Sequence, residues 1–301
     1  MLQAAMPERD PGRMTERLGI RERRWAAPGT LPSELAADAL RVALDDAGLQ
    51  PSDLRHVIFA TSTGGDHRTP ATVNAVLARL GLHNTVGGFD IGNACTGYLS
   101  ALDVAARLVA TGVSPVGVVA AEVLSTFLDP SEPRPYVVFA DAAGAAILGS
   151  SKTDCGLEAS DFGNDGRRLR AVYLANAPFD SPHALSFGNR ASEILKFAVD
   201  DLQLSVDAVL EQVGITLSDV DWIVTHQPNG LMLDAILAHF QVPEDRLVRV
   251  VDTLGSVAAA SAAVGLDRLL RERPVKSGDR VLIMAVGGGA SRGALLVRLG
   301  R

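Results

Sequence analysis

Ala43 to Ala60 reads ALDDAGLQPSDLRHVIFA, and Val209 to His226 reads VLEQVGITLSDVDWIVTH. The two align without a gap, 166 residues apart. Leu44, Gly48, Ser52 and Asp53 meet Leu210, Gly214, Ser218 and Asp219. Each copy predicts one unit: an apolar helix, a glycine that stops it, a Ser-Asp turn and a short apolar strand. The pairing points to a duplicated fold.

Elements further out repeat as well. A helix of small residues, Leu99–Ala110, precedes the strand Val116–Ala121, and a second, Val257–Leu270, precedes Arg280–Ala285. Asp141–Gly144 and Gly287–Gly289 hold like places, the latter before a last strand, Ala294–Leu299. A helix capped by Ser33 runs over Glu34–Ala47, a strand over Val57–Thr61, a helix over Pro70–Leu80 and a strand near Gly88–Ile91. Val137–Leu148 reads as two strands broken at Asp141–Gly144. Residues 1–31 read as irregular, and 151–190 as a polar crossing between halves before a helix over Ala191–Val213. Helices alternating with short apolar strands predict an α/β protein with buried sheets between helices. The halves divide as residues 1–165 and 166–301.

A hydrophobic content of 47% is ample for a large core. The net charge of -7 argues against nucleic acid as a partner. Two cysteines, Cys95 and Cys155, build no disulfide framework. Met1 to Arg13 lacks the apolar centre of a signal peptide, and no run approaches the roughly 20 apolar residues of a membrane span. A cytoplasmic protein is expected.

Two residues carry candidate chemistry. Cys95 lies in Asp90-Ile91-Gly92-Asn93-Ala94-Cys95-Thr96-Gly97-Tyr98, between a strand and a helix. A helix start favours the thiolate, and small neighbours admit a carbonyl group. The residue is an acyl-accepting nucleophile or a buried structural cysteine. In the repeat, His226 falls where Ala60 stands. It ends an apolar strand, at the strand edge where open α/β sheets hold ligands. Its imidazole can take a thiol proton or donate to a thioester oxygen.

Together these stretches resemble the β-ketoacyl-ACP synthase III branch of the thiolase superfamily. The matching motifs are Asn93-Ala94-Cys95-Thr96-Gly97, His226-Gln227-Pro228-Asn229, Gly287-Gly288-Gly289, Phe139–Ala146 and Leu18-Gly19-Ile20-Arg21-Glu22-Arg23. The resemblance implies a thiolase-like duplicated fold, five layers in the order α-β-α-β-α with two mixed sheets. It implies an acyl group carried on Cys95 and an oxyanion hole formed by the N–H groups of Cys95 and Gly288. It places Arg17, Arg21, Gln227 and Asn229 along the site for coenzyme A or phosphopantetheine, which serves as a thioester substrate rather than a tightly bound cofactor. The implied partners are acyl-CoA or an acyl carrier protein, and a second copy in a homodimer. Arg23, Arg24 or Arg268 could supply a basic patch for an acidic carrier.

The chain departs from the family at two places. The family's asparagine, which works beside its histidine, is Ser256 here, in Gly255-Ser256-Val257-Ala258-Ala259-Ala260-Ser261. Losing one such donor typically costs ~2.7–4 kcal/mol of transition-state stabilisation. In the family the histidine and asparagine together donate to the malonyl thioester oxygen and stabilise the enolate left by decarboxylation. A serine hydroxyl is shorter and has one donor; it stands here as a lost donor, as a tolerated variant in a working synthase or as a helix cap. Acyl transfer to an alcohol or amine needs no enolate, and His226 can be its base. Acyl transfer in fatty-acid, polyketide or other natural-product biosynthesis is therefore favoured over condensation with malonyl-ACP, with Cys95, His226 and Ser256 as the catalytic set. A thioester hydrolase or a non-enzymatic partner subunit are the remaining readings. The second departure is the front: Met1 to Arg13 supplies no apolar strand where the family has one, so the first sheet is expected to lack a member or the start to be misassigned.

Overall fold

The computed structural model describes residues 8, 10–174 and 185–300. In the first half, helices α1 (Pro11–Leu18) and α2 (Pro32–Ala47) precede strand β1 (His56–Thr61). Helix α3 (Thr72–Arg79), strand β2 (Gly87–Gly92), helix α4 (Gly97–Ala110) and strand β3 (Val116–Val123) follow, then the short helix α5 (Pro133–Val138) and β4 (Asp141–Leu148). The second half holds β5 (Gly156–Asn164), the small pair β6 (Val172–Leu174) and β7 (Leu185–Phe187), and helix α6 (Ala191–Val213). It ends with β8 (Trp222–Thr225), α7 (Gly230–Phe240), α8 (Val251–Leu254), α9 (Ala260–Glu272), β9 (Arg280–Gly287) and β10 (Ser291–Arg298).

Two mixed sheets result. The first runs β2-β1-β3-β4, parallel except for β4, which is antiparallel to β3. The second runs β5-β10-β9-β8, with β8 parallel to β9 and β10 antiparallel to both neighbours. Helices α2 and α3 bury Leu40, Leu44, Val73 and Val76 against one face of the first sheet. Helices α6 and α7 bury Leu202, Val206, Leu233 and Ile236 against the outer face of the second. Between the sheets, α4 and α9 share a core that includes Tyr98, Leu99, Ala101, Ala262 and Ala263. The expected five layers are present. The internal repeat is visible too: one-turn helices Pro51–Asp53 and Leu217–Asp219 precede β1 and β8, and Gly48 and Gly214 stop α2 and α6 at φ 66° and 71°.

Four local expectations are corrected. Residues 151–190, read as a polar crossing, contain strand β5, paired along its length with β10 of the second sheet. Its apolar alternation is masked because Glu158 is held by Arg280 and Arg298, and Asp161 by Arg292. Val137–Leu148 is one strand and the end of a helix. Pro133 and Pro135 suit a helix start, and the Asp141 carboxylate anchors the strand's first residue on the Ala26 and Ser125 amides, each at 2.8 Å. Residues 11–18 are helical: Asp10 accepts the Gly12 amide at 2.9 Å and Gly19 ends the turn at φ 61°. Helix α2 starts at Pro32, so Ser33 lies inside it and accepts from Arg79 Nε at 3.0 Å.

At the outer edge of β4, no strand pairs among the described residues, whereas β5 covers the matching edge of β10. The expectation about Met1 to Arg13 falls mostly on residues outside the description. Among the described residues, no helix is long and apolar enough to cross a membrane.

Candidate active site

Strand β2 gives out at Gly92, and a one-turn helix, Ala94–Thr96, carries the chain into α4. Ala94 takes φ 44°, which a small side chain tolerates at modest cost. The turn is pinned on both sides. Asn93 Nδ2 donates to Ser100 Oγ at 3.0 Å, while Thr96 Oγ1 donates to the Asn93 carbonyl at 2.7 Å and lies 3.0 Å from Ser291 Oγ. That last contact joins the turn to β10 of the other half.

Gly287, at the end of β9, completes the seat. A Cβ there would come within 2.8 Å of the Cys95 amide nitrogen, so only glycine admits this approach. A Cβ on Gly288 would meet the Val172 carbonyl oxygen at 2.5 Å. The amides of Cys95 and Gly288 both donate toward the Cys95 sulfur. These are the two groups expected to form an oxyanion hole.

The thiolate expectation fails for the resting protein. Burial, and then the charge of Glu122, push the Cys95 thiol up to about 12, outweighing the two amides that favour the anion. The sulfur is a neutral thiol until a base takes its proton. The residue is still partly accessible through the cavity beside it, although protein surrounds it on every side.

His226 extends the β8–β9 pairing by one bond, from its amide to the Met284 carbonyl at 3.0 Å. It is 4% exposed, and its Nδ1 has no hydrogen-bond partner among the described residues. Burial draws its pKa down to about 4, so the imidazole is neutral and able to accept a proton near neutral pH.

Cys95, His226, Ser256 and Gly288 line one cavity of about 170 Å³. Most of its remaining wall is apolar, with Val138, Phe139, Phe187, Ile194 and Phe197 among the lining residues. Ser256 is fixed there by backbone bonds to β4's approach: its amide donates to Val138 at 2.9 Å and its carbonyl accepts from Ala140 at 2.8 Å. Asn229 also lines the cavity, while its Oδ1 caps α7 by accepting the Met232 amide at 2.9 Å.

Gln227, expected along the binding site, is buried with its side-chain amide engaged by backbone and is not part of the cavity wall. Its Nε2 donates to the Val248 carbonyl at 2.8 Å, and its Oε1 accepts the Val250 and Val251 amides at 2.8 and 3.1 Å. It is a buried clamp on the segment before α8. Arg17 and Arg21 are exposed and are not part of the cavity wall. Of the arginines considered for a carrier patch, Arg24 pairs with Glu22 and Arg268 with Glu272, while Arg23 is half-buried. Arg134, which no motif marks, lines the cavity at its exposed side and lies 4.6 Å over the Phe187 ring. Glu122 does carry a sequence signal, as one acid in the apolar strand Val-Gly-Val-Val-Ala-Ala-Glu-Val.

Comparison with known proteins agrees with this geometry. The model of 3-oxoacyl-[acyl-carrier-protein] synthase III matches residues 89–166, and that of its C-terminal part matches 210–299. The β-ketoacyl-[acyl-carrier-protein] synthase III of Sphingopyxis alaskensis is 35% identical over 289 residues, covering 95% of this chain and 89% of that one. The crystal structure of 3-oxoacyl-[acyl-carrier-protein] synthase III from Aquifex aeolicus superposes with a TM-score of 0.90 at 30% identity, covering 97% and 92% of the two chains. The priming β-ketosynthase of the R1128 polyketide pathway gives the same TM-score and identity, covering 98% and 90%. With a cysteine turn from one half and a histidine strand and glycine-rich turn from the other meeting at a single cavity, the chain belongs to the β-ketoacyl-ACP synthase III family of the thiolase superfamily.

Proposed function

We propose that this chain loads an acyl group from a coenzyme A or carrier-protein thioester onto Cys95 and passes it to a hydroxyl or amine acceptor without decarboxylation. His226 takes the thiol proton, and the sulfur attacks the thioester carbonyl. The amides of Cys95 and Gly288 hold the oxyanion, and the leaving thiolate receives the proton back. In the second half-reaction His226 takes the acceptor's proton, and the Cys95 thiolate departs. No cofactor is retained through the cycle. The reading is carried by one observation: position 256, in the cavity with Cys95 and His226, holds a serine hydroxyl, while Asn229 on the same wall has its Oδ1 engaged in capping α7. A single short hydroxyl is a poor partner for an enolate.

A second reading, decarboxylating condensation with a malonyl-carrier thioester, is favoured by the names of the relatives at 34–35% identity. Incubation with acyl-CoA and malonyl-carrier protein separates the two. Carbon dioxide with a β-ketoacyl product supports condensation; acyl-Cys95 without carbon dioxide, discharged by an added alcohol or amine, supports transfer. We also propose a homodimer. Strand β2 is a sheet edge with an exposed face, and Phe89 on it is 36% exposed, which suits pairing with a second copy.

A further inference from the structure

Glu122 is a buried acid that the acyl-transfer steps leave unused. It is 0% exposed, near the end of β3. Its Oε1 accepts the Ser62 amide and the Ser62 hydroxyl, each at 2.7 Å. Its Oε2 lies 3.4 Å from Thr61 Oγ1 and 3.5 Å from Thr63 Oγ1. The Ala259 amide donates to it from the loop that follows Ser256. That loop is strained, with Ala258 at φ 41°. Ala259 and Ala60 in turn approach Gly97, two residues beyond the nucleophile: a Cβ on Gly97 would lie 3.7 Å from each. One carboxylate thus ties the ends of β1 and β3 to the loop bearing Ser256, all packed around the start of α4.

We infer that Glu122 is a positioning residue of the acyl-loading step, holding the Ser256 loop in place and governing by its charge how readily Cys95 gives up its proton. The inference rests on Cys95 being the nucleophile. A carboxylate held by hydroxyls and amides, with no cation facing it in those contacts, keeps a net negative charge whose field reaches the sulfur. Thiolate formation beside it means two negative charges in one dry region. The groups facing Glu122 are Thr61, Ser62, Thr63, the Ala259 amide and, at longer range, Cys95; of these Cys95 alone titrates. Burial brings Glu122 up to about 7 against the donors that favour its charge. The charge is therefore adjustable near neutral pH.

Iodoacetamide labelling of Cys95, followed on its own peptide so that Cys155 reports separately, tests this. Rates are taken from about pH 6 to about pH 10, where thiolate fraction sets the rate. Glu122→Gln keeps an acceptor for Ser62 and removes the charge. Its profile moves down the pH axis by ~0.5–1, giving ~3–10-fold faster labelling at about pH 8. Ser62→Ala removes a donor to the charged form and moves the profile the same way, by less. Glu122→Asp keeps the charge and stays near the wild-type profile. Coincident profiles for folded Glu122→Gln and wild type overturn the inference, and if Glu122→Gln does not fold, an unmoved Ser62→Ala profile does so. Acyl-CoA loading of the same samples keeps the two ideas apart. A shifted profile without any acyl-enzyme sinks the acyl-transfer reading but not the coupling, and normal loading with an unmoved profile does the reverse.

Discussion

The last residue of β9, Gly287, is seated against Cys95 so closely that its Cα hydrogen points at the nucleophile's own amide. A Cβ in that direction would stop 2.8 Å from the Cys95 nitrogen and 3.1 Å from Ala94 Cβ. The contact joins the two repeats. The nucleophile turn belongs to the first half and the glycine to the second, so neither half holds the sulfur in place alone.

Gly287→Ala is expected to keep the fold and lose the chemistry. The new methyl group meets the Cys95 amide nitrogen at 2.8 Å, the Ser291 hydroxyl at 3.0 Å and Ala94 Cβ at 3.1 Å, and while the hydroxyl can rotate away, the backbone nitrogen cannot. The turn must shift, taking the Cys95 amide away from the developing oxyanion. Loading from acyl-CoA, read as mass gain on intact protein, should fall by ~10²–10³-fold, the effect of one lost oxyanion donor. Overpacking should cost about 1–3 kcal/mol of stability. A loading rate within threefold of wild type, to order of magnitude, would show that the turn tolerates the methyl group.

Ser256→Asn tests the reason for favouring transfer. The backbone at 256 is held by Val138 and Ala140 on both sides, so the side chain changes on a fixed base. An amide there adds a second donor beside His226. Release of labelled carbon dioxide from malonyl thioester should rise at least ~10-fold over wild type, as expected for restoring a transition-state hydrogen bond. If wild type already releases carbon dioxide at the rate of the variant, Ser256 is no barrier to condensation.

Sequence signals that depend on local backbone conformation survive without tertiary context. Gly48 and Gly214 stop helices because the chain needs a left-handed residue there, and that requirement is local. The repeat built on them therefore exposed the duplicated fold, and the strand-end histidine stood out against Ala60. Strand β5 was hidden because its acids, Glu158 and Asp161, are satisfied by Arg280, Arg298 and Arg292 from distant strands. The partners of Gln227 are likewise distant in sequence. A motif shows that a residue matters, not whether its amide clamps backbone or meets a ligand. The helix start that favours a Cys95 thiolate is visible locally, while the burial and the Glu122 charge that oppose it come from tertiary packing.

Gln227→Leu should act on stability rather than on substrate affinity. The substitution strips partners from the Val248 carbonyl and the Val250 and Val251 amides. Buried groups left unpaired cost ~1–3 kcal/mol each, partly relieved if the segment before α8 relaxes. A loss of roughly 2–5 kcal/mol in denaturant unfolding is expected. Variant protein that remains folded should load acyl-CoA with a KM near wild type. A large rise in KM at unchanged stability would restore Gln227 to the binding site.

The pH dependence of stability should carry the signature of two buried groups that work in opposite directions. His226 titrates at about 4 in the folded chain against an ordinary 6.5, so the unfolded chain binds its proton first as pH falls. Its contribution is present above 6.5 and is lost as pH drops toward 4. Glu122 is raised from an ordinary 4.5 to about 7, so its contribution is present below 4.5 and is lost as pH rises through 7. Between 4.5 and 6.5 acidification therefore weakens the fold through His226 and strengthens it through Glu122. His226→Gln removes the first effect and leaves the second. At ~1.4 kcal/mol for each tenfold change in proton affinity, the effect removed is on the order of 3 kcal/mol. On going from about pH 6.5 to about pH 4.5, the variant's melting temperature should fall less than that of wild type, by several degrees for a chain of this size. Parallel melting curves for the two proteins across that window would mean that His226 is not held neutral by burial, and its readiness to accept the Cys95 proton would need another cause.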